Sequence, residues 1–250
     1  MLTEDEIRYG YWAEKQLITK PPRPITEVSE YQGEETLRAS CTLVGGTTAY
    51  QKRIISEWCE ALPHLGTVKT LCLESRVNQK IFDAVSLMPN LEALYIKWGG
   101  IKSIASIVGS PTLRALTLGS NPAIQDIEQV ENLSQLQVLD LENVPKAYNL
   151  GFVEGLANLE ALSVNGLWKT QVVASLEPLK KMHSLKSLSL LNTRVQNGGL
   201  MPLLHVKSLV HVRTALWYRA EEFEALRMEL PLLTYGTPLD EDTIHKYAKK

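Results

Sequence analysis

The 250-residue sequence lacks several features that would point to a membrane or secreted protein. It has no apolar run of the roughly 18 residues that a membrane helix requires. Its start, MLTEDEIRYGYW, is acidic and has no apolar segment of the kind found in secretory signals. Only three cysteines occur, Cys41, Cys59 and Cys72, and they form no CxxC pair, which favours a reducing compartment over a disulfide framework. We therefore expect a cytoplasmic protein without membrane contact.

The sequence also lacks a strongly basic segment. The formal net charge is −2, and even the most basic part, residues 51–218, has 16 basic against 13 acidic side chains. A protein that binds the phosphate backbone of nucleic acids usually concentrates many more lysines and arginines on one face. Nucleic acid is therefore not expected as a partner.

Recognisable catalytic motifs are missing as well. The sequence contains no GxSxG, no P-loop and no GxGxxG, and its five histidines have no metal-ligand spacing with a cysteine or carboxylate. Cys72 lies between Leu71 and Leu73, and no basic partner or helix N-terminus that would activate its thiol is evident. We expect no catalytic site, no metal and no cofactor.

The sequence does contain an internal repeat, first visible in LEALYI from Leu91. Its apolar residues follow gaps of three and then two, which suits neither a helix nor a simple strand. The same gaps recur from Val68, Leu113, Leu136, Leu159, Leu185 and Leu209, and 20 of the 21 positions are Leu, Ile or Val. Each copy predicts a short strand entered by a turn, and stacked copies would bury their apolar side chains in a continuous parallel sheet.

This pattern resembles the leucine-rich repeat family, whose motif is L-x-x-L-x-L followed by a polar turn. Repeats of about 23 residues, and steps of three such as Ile101, Ile104 and Ile107, resemble the short-repeat class of the internalins. The resemblance implies an α/β leucine-rich repeat solenoid with a concave parallel sheet and short convex segments. The turn asparagine of the family is present only at Asn121, and three others are candidates to replace it: Asn143, Asn165 and Asn192.

The two ends of the chain are predicted to cap the solenoid. We assign residues 1–61 to an N-terminal arm and cap, 62–218 to about seven repeats, and 219–250 to a C-terminal cap and tail. Thr36–Val44 could pair with the first repeat, Ile54–Leu65 reads as a capping helix, and Glu221–Leu230 as a second one. A degenerate last repeat follows at Leu230, Leu233 and Tyr235, and the tail from Asp240 is expected to fray.

The first 25 residues leave alternatives open. Thr3 and Glu6 form a possible capping box for a helix that would run to about Lys20 and stop at PPRP, Pro21–Pro24. This segment is either a docked arm, a partner-binding tail or partly disordered.

A partner site is expected on the concave floor and along one aromatic edge of the sheet. The side chains between the buried leucines, and those of the turn that leaves each strand, should face outward there. Aromatic residues near arginine and lysine are typical of binding hot spots, although each tryptophan could instead fold inward over its turn. The candidate partner-binding residues are Tyr95, Lys97, Trp98, Asp140, Glu142, Asn165, Trp168, Arg194, His211, Arg213, Trp217 and Tyr218.

The fold and the absence of motifs together favour a non-enzymatic scaffold that binds another protein and is monomeric on its own. The sequence also resembles uncharacterised bacterial repeat proteins, which implies as one option an immunity or inhibitor protein that neutralises a toxin. The alternative is a regulatory subunit or scaffold of an enzyme such as a phosphatase, and an enzyme with an unrecognised site is the remote third option.

Overall fold

The computed structural model describes residues 1–15, 17 and 20–248. These residues form a curved solenoid around one parallel sheet of nine strands. Strand follows strand across the sheet in chain order, except that β7 (Gln171–Ser175) and β9 (Thr193–Asn197) lie outside it. The nine strands are β1 (Thr36–Ala39), β2 (Thr70–Leu73), β3 (Ala93–Ile96), β4 (Ala115–Leu118), β5 (Val138–Glu142), β6 (Ala161–Asn165), β8 (Ser187–Leu190), β10 (His211–Thr214) and β11 (Tyr235–Gly236).

The repeated leucines form a buried spine behind this sheet, as the sequence predicts. The second apolar position of each repeat lies in register with that of the next strand, and none of these side chains is more than 1% exposed. The register runs Leu71, Leu94, Leu116, Leu139, Leu162, Leu188 and Val212. Each strand alone could not bury this face, so the stacking of repeats supplies the core.

The return segments on the convex side are mostly 3₁₀ turns, which confirms the prediction from steps of three. Their inward residues, such as Ile127 and Val130, are fully buried against the leucine spine. The convex turns comprise Ile127–Asn132, Pro145–Tyr148, Leu150–Gly155, Glu177–Lys181 and Met201–His205. A short helix, α4 (Gln79–Val85), replaces the turn in the first repeat.

The N-terminal cap is a helix, as predicted, but it begins earlier than expected. Helix α3 spans Thr48–Ala61, because the Thr47 hydroxyl accepts a hydrogen bond from the Tyr50 amide and caps it. The Trp58 indole is fully buried in the core, and its Nε1 donates to the Thr26 carbonyl at 2.7 Å. Strand β1 pairs with β2 as predicted, although it is shorter than Thr36–Val44.

The C-terminal cap combines helix α5 (Ala220–Glu229), strand β11 and helix α6 (Glu241–Tyr247). Pairing of β11 with β10 confirms the degenerate last repeat. The expectation that the tail frays from Asp240 is wrong for the described residues. The Asp240 carboxylate caps α6, and Ile244 is buried in the main core. Lys249 and Lys250 lie outside the described residues.

The N-terminal arm, whose described residues are 2–15 and 17, is docked on the solenoid rather than extended as a tail. The Thr3–Glu6 capping box forms and opens helix α1 (Glu4–Tyr9). The prediction of a single helix to Lys20 is wrong, because Gly10 adopts a φ of 95° and separates α1 from helix α2 (Tyr11–Glu14). Gln16, Ile18 and Thr19, which the predicted helix included, lie outside the described residues.

A small second sheet, which the sequence analysis did not predict, lies beside the later repeats. Strand β7 (Gln171–Ser175) pairs in parallel with β9 (Thr193–Asn197). Both strands directly follow a strand of the main sheet and bury one valine each, Val173 and Val195. The turn between β6 and β7 is thereby fixed at both ends.

Three asparagines replace the family's turn residue, in agreement with the sequence analysis. Asn143 Oδ1 accepts a hydrogen bond from the Leu167 amide at 3.0 Å. Asn165 Oδ1 accepts one from the Leu191 amide at 2.7 Å, and Asn192 Nδ2 donates to the Leu167 carbonyl at 3.1 Å. Each amide therefore joins the exit turn of one repeat to the backbone of a neighbouring repeat.

Candidate functional site

The concave face, expected to be an open floor, is covered by the N-terminal arm. Leu2, Ile7, Trp12 and Leu17 form an apolar cluster with side chains of the sheet. The side chains beneath them are small or branched: Cys72, Ala93, Ala115 and Val138. The small residues of the concave floor therefore provide room for the arm.

Polar contacts fix the arm across the sheet from β4 to β10. The Leu2 amide donates to Glu160 Oε2 at 2.9 Å, near β6. The His211 Nδ1 atom lies 2.7 Å from the Ile7 carbonyl oxygen at β10, and the Trp12 Nε1 donates to Thr117 Oγ1 on β4. The arm therefore runs towards the C-terminal repeats, turns at Gly10 and returns towards the N-terminal ones.

Two predicted floor residues are consequently engaged within the chain. Tyr95 is half-buried, with its ring edge-on to Trp12 at a centroid distance of 5.4 Å, and burial raises its pKa to about 12. His211 is buried, so the expectation that it faces solvent is wrong. Burial lowers the pKa of His211, while its contact with the Ile7 carbonyl acts in the opposite direction.

Asp140 and Glu142 form the acidic part of the concave face. Asp140 is in register with Thr117, which binds the Trp12 indole. Burial, followed by the charge of Glu142, raises the pKa of Asp140 to about 7. Burial also raises the pKa of Glu142. Within the described part of the chain, Asp140 has neither an ion pair nor a hydrogen bond, so this carboxylate is uncompensated.

A groove of about 400 Å³ opens at the edge where the strands end, between the turns that follow β4, β5 and β6. We call it the edge groove, and its lining is mainly apolar. Trp168 forms one wall and is 87% exposed, and Tyr148 is 44% exposed. The lining residues are Ser120, Pro122, Asn143, Pro145, Tyr148, Trp168, Lys169, Thr170, Gln171 and Val172.

The turn that carries Trp168 is held in its protruding conformation by Gly166. A Cβ atom at Gly166 would lie 2.4 Å from both the Asn192 and the Lys169 carbonyl oxygens, so no larger residue fits. Asn143 and Asn192 also bond the backbone of this turn at Leu167. Trp168 therefore projects from a rigid support.

The other two edge tryptophans do not contribute to the edge groove. Trp98 is 38% exposed and follows β3, which lies three strands from β6, roughly 14 Å across the sheet. Trp217 is partly buried, with the Arg194 guanidinium 5.9 Å from its ring centroid. The three tryptophans share one edge but form separate features.

Of the remaining candidate residues, some are exposed to solvent and others make contacts within the chain. Lys97 and Arg213 are exposed, and Lys97 Nζ lies 3.7 Å from a Glu74 carboxylate oxygen. Asn165 supports the backbone of the next repeat. Tyr218 is buried and donates to the Thr193 carbonyl at 2.9 Å, so the expectation that it is exposed is wrong.

The sequence analysis missed the lining of the edge groove apart from Trp168. Tyr148, Pro122 and Pro145 lie in turns whose sequences follow no repeat position that would orient them. It also missed the role of Trp12, because a contact 105 residues away in sequence leaves no local pattern.

Neither a membrane-spanning helix nor a cluster of metal-ligating side chains is found in the described ranges. No helix among residues 1–15, 17 and 20–248 is long and apolar enough to cross a bilayer. In the same residues, no group of three or more His, Cys, Asp or Glu side chains could hold a metal ion.

Comparison with known proteins finds similarity at the level of structure. No family model matches the chain, and no curated protein sequence matches it. Internalin C2 of Listeria monocytogenes is 19% identical, with a TM-score of 0.52 over 70% of this chain and 72% of that one. Internalin InlF of the same organism is 16% identical, with a TM-score of 0.55 over 73% of this chain and 60% of that one.

At these identities the likeness concerns the fold. The chain is folded as a leucine-rich repeat solenoid with a continuous parallel sheet and a buried leucine spine. More narrowly, its repeats of 22 to 26 residues and its 3₁₀ returns are those of the short-repeat, internalin-like class, as the sequence predicts.

Proposed function

We propose that the protein binds another protein, without catalysis, through the edge groove. The observation that carries this proposal is the exposure of Trp168, at 87%, beside the exposed ring of Tyr148. Leaving so much aromatic surface in water is unfavourable by about 25 cal/mol per Å². Tryptophan and tyrosine on a rigid support are also the side chains that most often dominate binding energy at protein interfaces.

The lining of the edge groove indicates the chemistry of the partner segment. The centre of the groove favours an apolar side chain of the partner, because it is lined by two prolines, by Val172 and by an aromatic ring on each side. Lys169 lines the same groove, and Lys146 is exposed next to Pro145, so a carboxylate beside that apolar residue would find a positive charge. We therefore propose an extended segment that carries an apolar and an adjacent acidic side chain.

As the finer role, we propose a bacterial cytoplasmic inhibitor of the immunity type, for which the partner is a toxin. The likeness to bacterial solenoids and the three free cysteines support the bacterial and cytoplasmic parts of this proposal. Regulation of an enzyme is the alternative, and the identity of the bound protein separates the two. A toxin bound in a one-to-one complex supports inhibition, whereas an enzyme whose rate changes on binding supports regulation.

The experiment compares Trp168→Ala with the matched variant Trp98→Ala, which removes an exposed tryptophan outside the groove. A specific protein retained from native lysate by the wild type is purified and titrated calorimetrically against all three forms. We expect Trp168→Ala to lose about 2 kcal/mol or more of binding free energy and Trp98→Ala to lose less than ~0.5 kcal/mol. Equal affinity of the wild type and Trp168→Ala would refute the edge groove as the binding site.

A further inference from the structure

The surface beneath the arm is separate from the core of the solenoid. The described residues of the arm pack on concave side chains, whereas the main core lies between the sheet and the convex turns and is closed by Trp58 and Phe223 at its ends. Removing the arm would therefore expose the concave face without opening the main core. The solenoid does not need the arm in order to enclose its leucine spine.

The arm itself has little structure of its own to keep it in place. Its helices contain six and four residues, well below the length at which an isolated helix is stable in water. It depends on the apolar side chains of Leu2, Ile7, Trp12 and Leu17 and on a few hydrogen bonds. An element held in this way is expected to detach as a unit before the repeats unfold.

The arm also leaves one group of the concave face unsatisfied. Asp140 lies beside the Trp12 contact and has no positive partner among the described residues. Lys15 is the lysine of the arm that lies nearest to Trp12 in the sequence. Its Nζ pairs instead with Glu6 Oε1 at 3.2 Å. A partly desolvated carboxylate without a counterion is unfavourable, and a ligand that brought a cation to it would bind better than the arm does.

We propose that the concave face is a second docking surface, for a short amphipathic segment of a partner protein that carries a lysine or arginine opposite Asp140. The N-terminal arm is the intramolecular competitor that closes this surface in the free protein. The partner segment supplies apolar side chains to the sites of Ile7 and Trp12 and adds the positive charge that the arm lacks. This proposal does not depend on the edge groove.

Cys72 provides a direct probe of arm opening, because it lies under the arm and is only 2% exposed. Cys41 is buried in the main core and reports on unfolding of the solenoid. In the full chain carrying Cys59→Ser, we measure the rate at which each thiol reacts with a disulfide reagent. We expect Cys72 to react faster than Cys41, and Trp12→Ala to accelerate Cys72 by roughly tenfold or more while leaving Cys41 unchanged.

Two variants complete the test of detachment. Trp12→Phe keeps an aromatic side chain but removes the hydrogen bond to Thr117, so we expect it to accelerate the Cys72 reaction less than Trp12→Ala does. It serves as the test variant if Trp12→Ala perturbs folding. Trp168→Ala removes a tryptophan that the arm does not contact and should leave the Cys72 rate unchanged. Equal rates for Cys72 and Cys41 in every variant would overturn the proposal, because the arm would then leave only when the solenoid unfolds.

Peptides test the chemistry of the partner. A synthetic peptide of residues 1–17 should slow the Cys72 reaction of the Trp12→Ala protein when added in trans. In an arginine scan of peptide positions 11–14, at least one substitution should improve this protection about tenfold, and Asp140→Asn in the protein should abolish the gain. No protection by any peptide, or a gain that persists in Asp140→Asn, would contradict the proposed docking surface.

Discussion

Replacement of Asp140 by Asn is expected to stabilise the protein most at alkaline pH. Burial raises the pKa of Asp140 from 3.8 to about 7, so the native state binds this proton more tightly than the unfolded state does. At pH values between these two pKa values, the Asp140 carboxyl is ionised in the unfolded chain but stays protonated in the native state. The contribution of Asp140 to stability is therefore present at low pH and is lost as the pH rises through about 7.

The full separation of the two pKa values corresponds to about 4 kcal/mol. Asp140 keeps partial contact with solvent, which screens the penalty, so we expect an effect of about 1–2 kcal/mol. Asn has nearly the same shape and cannot ionise. The stability advantage of Asp140→Asn over the wild type should therefore grow by that amount between acidic and alkaline conditions.

Urea denaturation of both proteins at about pH 4 and pH 8, which span nearly the whole interval between the two pKa values, gives the free energy of unfolding at each condition. Only the difference between variant and wild type is compared, because other carboxylates also contribute to the pH dependence. Glu128→Gln, at an exposed position of a convex turn, controls for the loss of one negative charge. A difference between Asp140→Asn and the wild type that stays constant across this range would refute the assignment of an uncompensated, partly desolvated carboxylate.

Two further substitutions test the spine and the turn of Trp168. Leu139→Ala leaves a cavity in the fully buried spine and should lower the free energy of unfolding by about 3 kcal/mol. Its control, Leu167→Ala at a half-exposed position, should lower it little. Similar losses of unfolding free energy for the two variants in urea denaturation would contradict the stacked core. Gly166→Ala places a Cβ 2.4 Å from two carbonyl oxygens and should cost about 1–3 kcal/mol, whereas Gly109→Ala meets no atom within 4 Å. Equal melting temperatures for these two glycine variants would show that the turn has room to relax.

The part of the fold that follows from sequence is the part in which each repeat contacts its neighbours. The spacing of residues such as Leu94 and Leu116 predicts the strands, their order and the buried spine, because every repeat must use the same geometry to stack. Local signals were equally informative. The Thr3–Glu6 pair predicts the start of α1, and the residues around Tyr235 predict the last strand.

The position of the arm could not be predicted, because it depends on contacts between residues far apart in sequence. Small side chains at Ala93 and Ala115 are compatible both with an open floor and with a floor that receives Trp12. The strand pair β7–β9 did leave a signal that was overlooked. Val173 and Val195 lie 22 residues apart, which matches the spacing of the main repeats, although only Val195 has polar neighbours and Val173 is flanked by Val172 and Ala174.

The orientation of the tryptophans at the edge groove likewise could not be predicted from the sequence. The exit turns predict that Trp168 is near the edge, but the sequence cannot show that Trp217 turns towards Arg194 while Trp168 remains in solvent. That outcome depends on the second sheet and on the support of Gly166 and its carbonyl neighbours.

Nuclear Overhauser contacts of the Trp12 indole test most directly whether the chain's own arm occupies the concave face in solution. In the free, full-length protein we expect a strong cross-peak between the indole Hε1 of Trp12 and the γ-methyl group of Thr117, unchanged on dilution. A solvent-exposed indole resonance without contacts to Thr117 or Tyr95 would contradict the account, because the concave face would then be open and the arm free.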